Sequence, residues 1–182
     1  VDSFKITVKG RGAHVFTPEK GIDALYIASQ IVWAAQALVT RCTNPTDSVI
    51  IGIGKLEAGT AYNVVAKDAV KEGTIRTMYP EIREKVKSDL EELVKSMAVI
   101  YGGEAEIQYK DFTSPMINPP IPAKEVEKVA VSLFGRDNVI TDRPYSLGDD
   151  DFAEFILRVS GTYAYVGSGN SDRPNTFVAH HD

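Results

Sequence analysis

Two stretches of this chain carry an apolar period of a helix, and each is bracketed by stretches of period two. In the first helical stretch, Ile22, Leu25, Ala28, Ile31, Ala35 and Leu38 fall on one stripe. In the second, Ile82, Val86, Leu90, Leu93, Met97 and Ile100 step by three and four, with acids and lysines on the other face. Ahead of them, Phe4, Ile6 and Val8 alternate with Ser3, Lys5, Thr7 and Lys9, the pattern of a half-buried strand. Between them, Val49, Ile51 and Ile53 alternate with small residues, and Asn63 to Thr77 reads as a long strand. After them, Ala105, Ile107 and Tyr109 share one side of a strand from Glu104 to Lys110. The order is strand, helix, strand, strand, helix, strand. That is the ferredoxin-like βαββαβ arrangement of an α+β domain, placed at residues 3–112. It predicts a four-stranded antiparallel sheet with both helices on one face and an edge strand free to pair with another chain.

The punctuation agrees with this order. Thr17-Pro18 is turn chemistry ahead of the first helix, and Asp23 sits where a negative charge favours a helix start. Asn44-Pro45 follows that helix, Pro80 opens the second, and Gly102-Gly103 ends it.

Residues 113–182 read differently. The stretch from Asp111 to Pro122 is rich in proline and asparagine, a linker signature. Then come an expected helix at 123–134, a short strand at 138–141, a loop through Pro144 and Gly148, a helix at 150–159 and a strand at 162–166. This alternation suggests an incomplete α/β segment, too small for a core of its own. The chain begins at Val1 on strand-like sequence and ends at His180-His181-Asp182, which reads as a piece of a longer protein.

Composition excludes several classes. The 182 residues are 43% hydrophobic, enough to bury a core, and the net charge is −5 with no basic tract. An acidic chain with no basic tract argues against a nucleic-acid partner, whose binding usually calls for a cationic face. Strand aromatics are sparse, which argues further against a ferredoxin-like RNA binder. No apolar run approaches the roughly 20 residues of a membrane span, and no signal peptide is visible. The single cysteine, Cys42, allows no internal disulfide and fits a reducing, cytoplasmic setting.

Few residues offer chemistry. His14 stands in Gly12-Ala13-His14, on a loop just past a strand; it is either a surface histidine or an imidazole held out to polarise a carbonyl. Asn63, in Gly59-Thr60-Ala61-Tyr62-Asn63, offers a donor and an acceptor to a ligand, or satisfies its own backbone. Arg76, near the end of the long strand, is able to clamp a carboxylate or to make a surface ion pair. Asp149, Asp150 and Asp151 read as acids at a helix start. Three histidines and one cysteine so scattered cannot make a complete zinc site.

Four stretches taken together, FKITVKGRGAHVFTPEKGIDAL, GTAYNVVAKDAVKEGTIRT, GDDDFAEF and NTFVAHHD, resemble the zinc-dependent aminoacylase/hippurate-hydrolase branch of the metallopeptidases. The resemblance runs in order over nearly the whole chain. It implies a ferredoxin-like lid or dimerisation domain at 3–112, inserted in a catalytic domain to which 113–182 returns. It implies a parent that cleaves the amide bond of N-acyl amino acids or small peptides with a metal-activated water. Two divalent metal ions are implied, zinc as the usual metal with cobalt or manganese as alternatives, and a homodimer formed through the lid. By the same resemblance His14 reaches the partner subunit's site and stabilises the carbonyl oxygen, Asn63 and Arg76 hold substrate, and His180 is the last metal ligand. The other ligands of the family lie outside this chain, so the fragment alone is expected to be inactive. Departures touch substrate preference: Ala66 stands near the family's proline, Asp150-Asp151-Phe152 replaces Glu-Asp-Phe, and His181 follows the metal histidine. The competing reading is a ferredoxin-like module for ligand binding or oligomerisation without catalysis.

Overall fold

The computed structural model describes residues 1–167. Strands β1 (Asp2–Lys9), β2 (Val49–Ala58), β3 (Asp68–Thr77) and β4 (Glu104–Asp111) form one sheet in the order β2-β3-β1-β4, every pair antiparallel. Helices α1 (Ala24–Arg41) and α2 (Pro80–Ile100) supply the apolar stripes that cover one face. This is the expected βαββαβ order. β2 and β4 are the edges.

Register explains the core. Phe4, Ile6 and Val8 of β1 stand opposite Gly73, Lys71 and Ala69 of β3, and opposite Tyr109, Ile107 and Ala105 of β4. These residues share the helix-covered face because side chains alternate along a strand. They pack with Ile27, Ile31, Ala35, Val86, Leu90 and Val94. The helix ends are chemically marked. The Asp23 carboxylate accepts from Leu25 N and Tyr26 N, capping α1. Gly102, at a left-handed φ of 76°, turns the chain out of α2.

Two titratable groups lie inside this apolar layer. Lys71 is fully buried, and its Nζ donates to the carbonyl of Ala28 on α1 at 2.9 Å. Asp2 is also fully buried. Arg83 of α2 meets it with two hydrogen bonds of 2.6 Å, from Nε and Nη2. Lys87 stands 3.3 Å from Asp111, directly opposite Asp2 in the ladder. The Val1 ammonium donates to Thr113 O at 2.7 Å, so the two chain ends of the sheet domain are tied side by side.

The chain divides into two compact units. One is 1–117 together with 142–154, and the other, among the described residues, is 118–141 with 155–167. The second unit has helix α3 (Pro120–Phe134), which ends at Gly135 and is followed by a short 3-10 turn, Arg136–Asn138. No residue of α3 is buried, and Ile121, Leu133 and Phe134 stand exposed.

The structure departs from the expected elements at three places. Residues 138–141 and 162–166 form no strand. A strand needs a partner for its backbone groups, and the described part of this segment offers none. The expected helix at 150–159 is the shorter α4 (Phe152–Ile156). β3 begins at Asp68 instead of Asn63, because residues 63–67 are drawn into pairing with the His14 loop.

Candidate substrate-facing site

Beyond Lys9 the β1–β3 ladder continues as an irregular two-stranded ribbon. Gly10 N donates to Lys67 O (2.7 Å), Val65 N to Ala13 O (2.8 Å) and Val15 N to Asn63 O (3.1 Å). Lys9 faces Asp68, yet His14 faces Val64, one residue out of the ladder's register. The extra residue is taken up around Arg11-Gly12, as in a bulge that re-aims a side chain. Gly10 makes this possible. A Cβ there would lie 2.1 Å from the carbonyl oxygen of Ile22, whose backbone pairs with Arg11 in both directions. The start of α1 is docked to the same ribbon, with Ala24 N donating to Ala66 O at 2.8 Å.

The ribbon brings the backbones of two expected site residues close: His14 stands opposite Val64, and its neighbour Val15 bonds to the Asn63 carbonyl. His14 is exposed at its tip and Asn63 is on the paired strand. The His14 Nδ1 accepts a hydrogen bond from Phe16 N at 3.3 Å. An accepting Nδ1 leaves the proton on Nε2, so the outward nitrogen is a donor. Thr17 N holds the His14 carbonyl at 2.9 Å. The Asn63 side chain makes no hydrogen bond among the described residues. Both of its polar atoms are therefore open to a ligand. Sequence reasoning missed the aromatic flanks: the Phe16 ring is 4.7 Å from the His14 ring, and Tyr62, beside Asn63, is 99% exposed. Each was legible only as an aromatic next to a polar candidate.

Arg76 is elsewhere. It lies on the sheet face away from the helices, opposite Ile50. At about 3.4 Å per residue, β3 from Asp68 to Arg76 is roughly 27 Å long. The His14–Asn63 tip and Arg76 therefore occupy opposite ends of the sheet in one protomer. At its end, Arg76 Nη1 donates to Leu147 O (2.9 Å) and to Asp149 Oδ1 (2.5 Å). Residues 142–154 lace across this end of the sheet. Tyr145 OH pairs with Ser48 Oγ at 3.0 Å, Asp150 O accepts from Thr113 Oγ1 at 3.3 Å, and Ala153 is fully buried. Asp150 accepts from Phe152 N at 2.9 Å, the helix-start role expected for this acidic run. His180 lies outside the described residues, as does His181.

A shallow trough of about 790 Å³ crosses the open sheet face, lined among others by Lys5, Lys55, Thr74, Gln108 and Lys110. None of His14, Asn63 and Arg76 lines it. Among the described residues no group of three or more His, Cys, Asp or Glu comes together to hold a metal. These residues therefore do not fit a metal centre. No helix among them is long and apolar enough to cross a membrane.

The sheet with its two covering helices is a ferredoxin-like α+β domain, and the ribbon that carries His14 extends from one end of it. A family profile described as "Peptidase dimerisation domain" matches residues 1–102, and the chain belongs to that family, the dimerisation domain of the M20 peptidases. The chain is 32% identical over 180 residues to thermostable carboxypeptidase 1 of Saccharolobus solfataricus, covering 98% of this chain and 45% of the relative. It is 31% identical to N-acetyl-L-cysteine deacetylase of Bacillus subtilis, covering 92% and 40%. It is also similar to the solved structure of a dinuclear metal-binding peptidase of the M20 family from Bacillus subtilis, with a TM-score of 0.68 and 25% identity. That likeness covers 88% of this chain and 39% of the other. The chain thus spans less than half the length of the relatives it matches.

Proposed function

We propose that this chain is the lid, at 3–112, and part of the catalytic domain, at 113–182, of a metal-dependent amidohydrolase. Its substrates are N-acyl amino acids or small peptides. The observation that carries the reading is the presentation of His14: a ribbon, a bulge and a Phe16 N–H fix its ring with the Nε2 donor outward, beside an unengaged Asn63. A donor so held is suited to the oxygen of a carbonyl under attack, a contact that strengthens as negative charge develops. Asn63 orients the substrate, and Arg76 takes its carboxylate. The relatives' names, a carboxypeptidase and an N-acetyl-amino-acid deacetylase, support amide hydrolysis next to a carboxylate.

The proposal includes a homodimer. The two ends of β3 serve one substrate only if a second copy supplies one of them. Edge strand β2 is the surface for that pairing. Trp33 on α1 is 79% exposed, and Gln36, one turn on, reaches the Ile51 carbonyl of β2 at 3.3 Å. The two divalent ions of the proposal, zinc or else cobalt or manganese, are held by the longer protein, with His180 as one ligand. A larger catalytic domain is supported by the bare apolar face of α3. A cytoplasmic location belongs to the same reading, which the single free thiol of Cys42 fits.

Subunit mixing tests it. In the full-length protein, His14→Ala and Arg76→Ala each abolish most hydrolysis of N-acetyl amino acids. Mixed dimers of the two variants regain activity, because one of the two sites then receives both residues. Absence of any regain sinks the shared-site reading, and full activity of both variants sinks the lid assignment.

A further inference from the structure

Arg76 is held in an unusual way. A guanidinium binds a planar carboxylate through one of two forks, Nη1 with Nη2 or Nε with Nη2. Here Nη1 has both of its hydrogens engaged, one by the Leu147 carbonyl at 2.9 Å and one by Asp149 Oδ1 at 2.5 Å. Nε and Nη2 make no hydrogen bond among the described residues. The pair is shielded without being sealed, with 28% of the Arg76 side chain and 19% of Asp149 exposed.

We propose that Asp149 is a positioning residue: it pins Arg76 through Nη1 so that the Nε–Nη2 edge is the fork offered to a substrate carboxylate. The inference rests on the reading of Arg76 as the carboxylate clamp. It adds the recognition mode and the specificity that follows. The Asp149 charge offsets much of the Arg76 charge, which weakens attraction for anions in general. What remains favours a ligand whose two oxygens match the side-on fork, a free α-carboxylate over a carboxamide. The anchoring acid comes from a segment 73 positions away in sequence, and residues 142–154 cannot leave the sheet end without releasing Arg76.

The ¹⁵N–¹H signal of Arg76 Nε, assigned by its loss in Arg76→Lys, reads this directly on this chain while acetate is titrated. Asp149→Asn and Asp149→Ala carry the same charge, and only the asparagine keeps an acceptor for Nη1. Saturable movement of the Nε signal is expected in the parent, with acetate bound about fivefold more tightly by Asp149→Asn than by Asp149→Ala, the worth of one hydrogen bond. Acetamide moves the signal in none of them. Equal acetate affinity in the two variants overturns the positioning role while leaving Arg76 as a clamp. No acetate response in the parent overturns the clamp itself, and the inference with it.

Discussion

The Nζ of Lys71 donates a 2.9 Å hydrogen bond to the backbone carbonyl of Ala28, from a side chain wholly removed from solvent. No carboxylate forms an ion pair with it among the described residues. Burial alone pushes its ammonium down from the ordinary lysine value to about 7. Opposite it on β1 stands Ile6, so a titratable group occupies the centre of an aliphatic layer.

That placement sets a pH dependence. Between about pH 7 and the ordinary lysine value the unfolded chain holds a proton that the folded chain lacks. Stability therefore rises with pH through this window and is lost as pH falls toward 7. Lys71→Met removes the slope and stabilises the protein at pH 7 by something on the order of a few kcal/mol. Urea titrations of both proteins at several pH values from 7 to 10 check it. Parallel curves would mean that Lys71 is not buried in its charged-to-neutral transition.

Asp2 adds a slope of the same sign in the acid range. Burial acts to raise its carboxyl, but the hydrogen bonds from Arg83, with Asp111 and the charges of Arg83 and Lys87, outweigh this and hold it below the usual carboxylate value. Its contribution is therefore complete above the unfolded value and is lost as pH falls through the folded one. Arg83→Met leaves a buried carboxylate without its bidentate partner and costs about 3–5 kcal/mol at neutral pH. The acid-side slope of stability shrinks with it. Thermal unfolding from pH 3 to 7 gives both numbers.

Gly10→Ala tests the ribbon. The new Cβ would sit 2.1 Å from a backbone oxygen, which has no rotamer to escape into. The expected cost is about 1–3 kcal/mol, together with faster amide exchange at Arg11 and Ile22. Unchanged exchange at those two amides would show that the ribbon does not depend on the missing side chain.

His14→Ala in the full-length protein separates chemistry from folding. His14 is exposed, so the melting temperature is expected to stay within the range of a surface change. Loss of one donor to a developing oxyanion lowers kcat by about 10²–10³ with a smaller effect on KM. A rise in KM at constant kcat would instead assign His14 to ground-state binding.

Element type and order were legible because they rest on neighbours. Phe4, Ile6 and Val8 alternate whatever they face, and Ile27, Ile31, Leu90 and Val94 repeat at helical spacing whatever covers them. The caps at Asp23 and Gly102 are equally local. Candidate chemistry was legible as residue types: a loop histidine, an asparagine, a strand arginine. Lys71 was not, since its period-two position on β3 carries no sign that the face is dry. The strands expected at 138–141 and 162–166 failed for a related reason. A short apolar run becomes a strand only when a partner strand accepts its backbone bonds.

The sequence by itself thus determined the βαββαβ order, the covered face and the set of polar residues available. Tertiary structure decided which of them meet. It paired the His14 loop with the Asn63 segment through a slipped ribbon, set Arg76 at the far end of β3, and placed Asp149 on its guanidinium. The reason is range. Periodicity and capping act over one or two turns of chain, whereas each of those contacts links residues tens of positions apart, whose approach is fixed only when the sheet has closed.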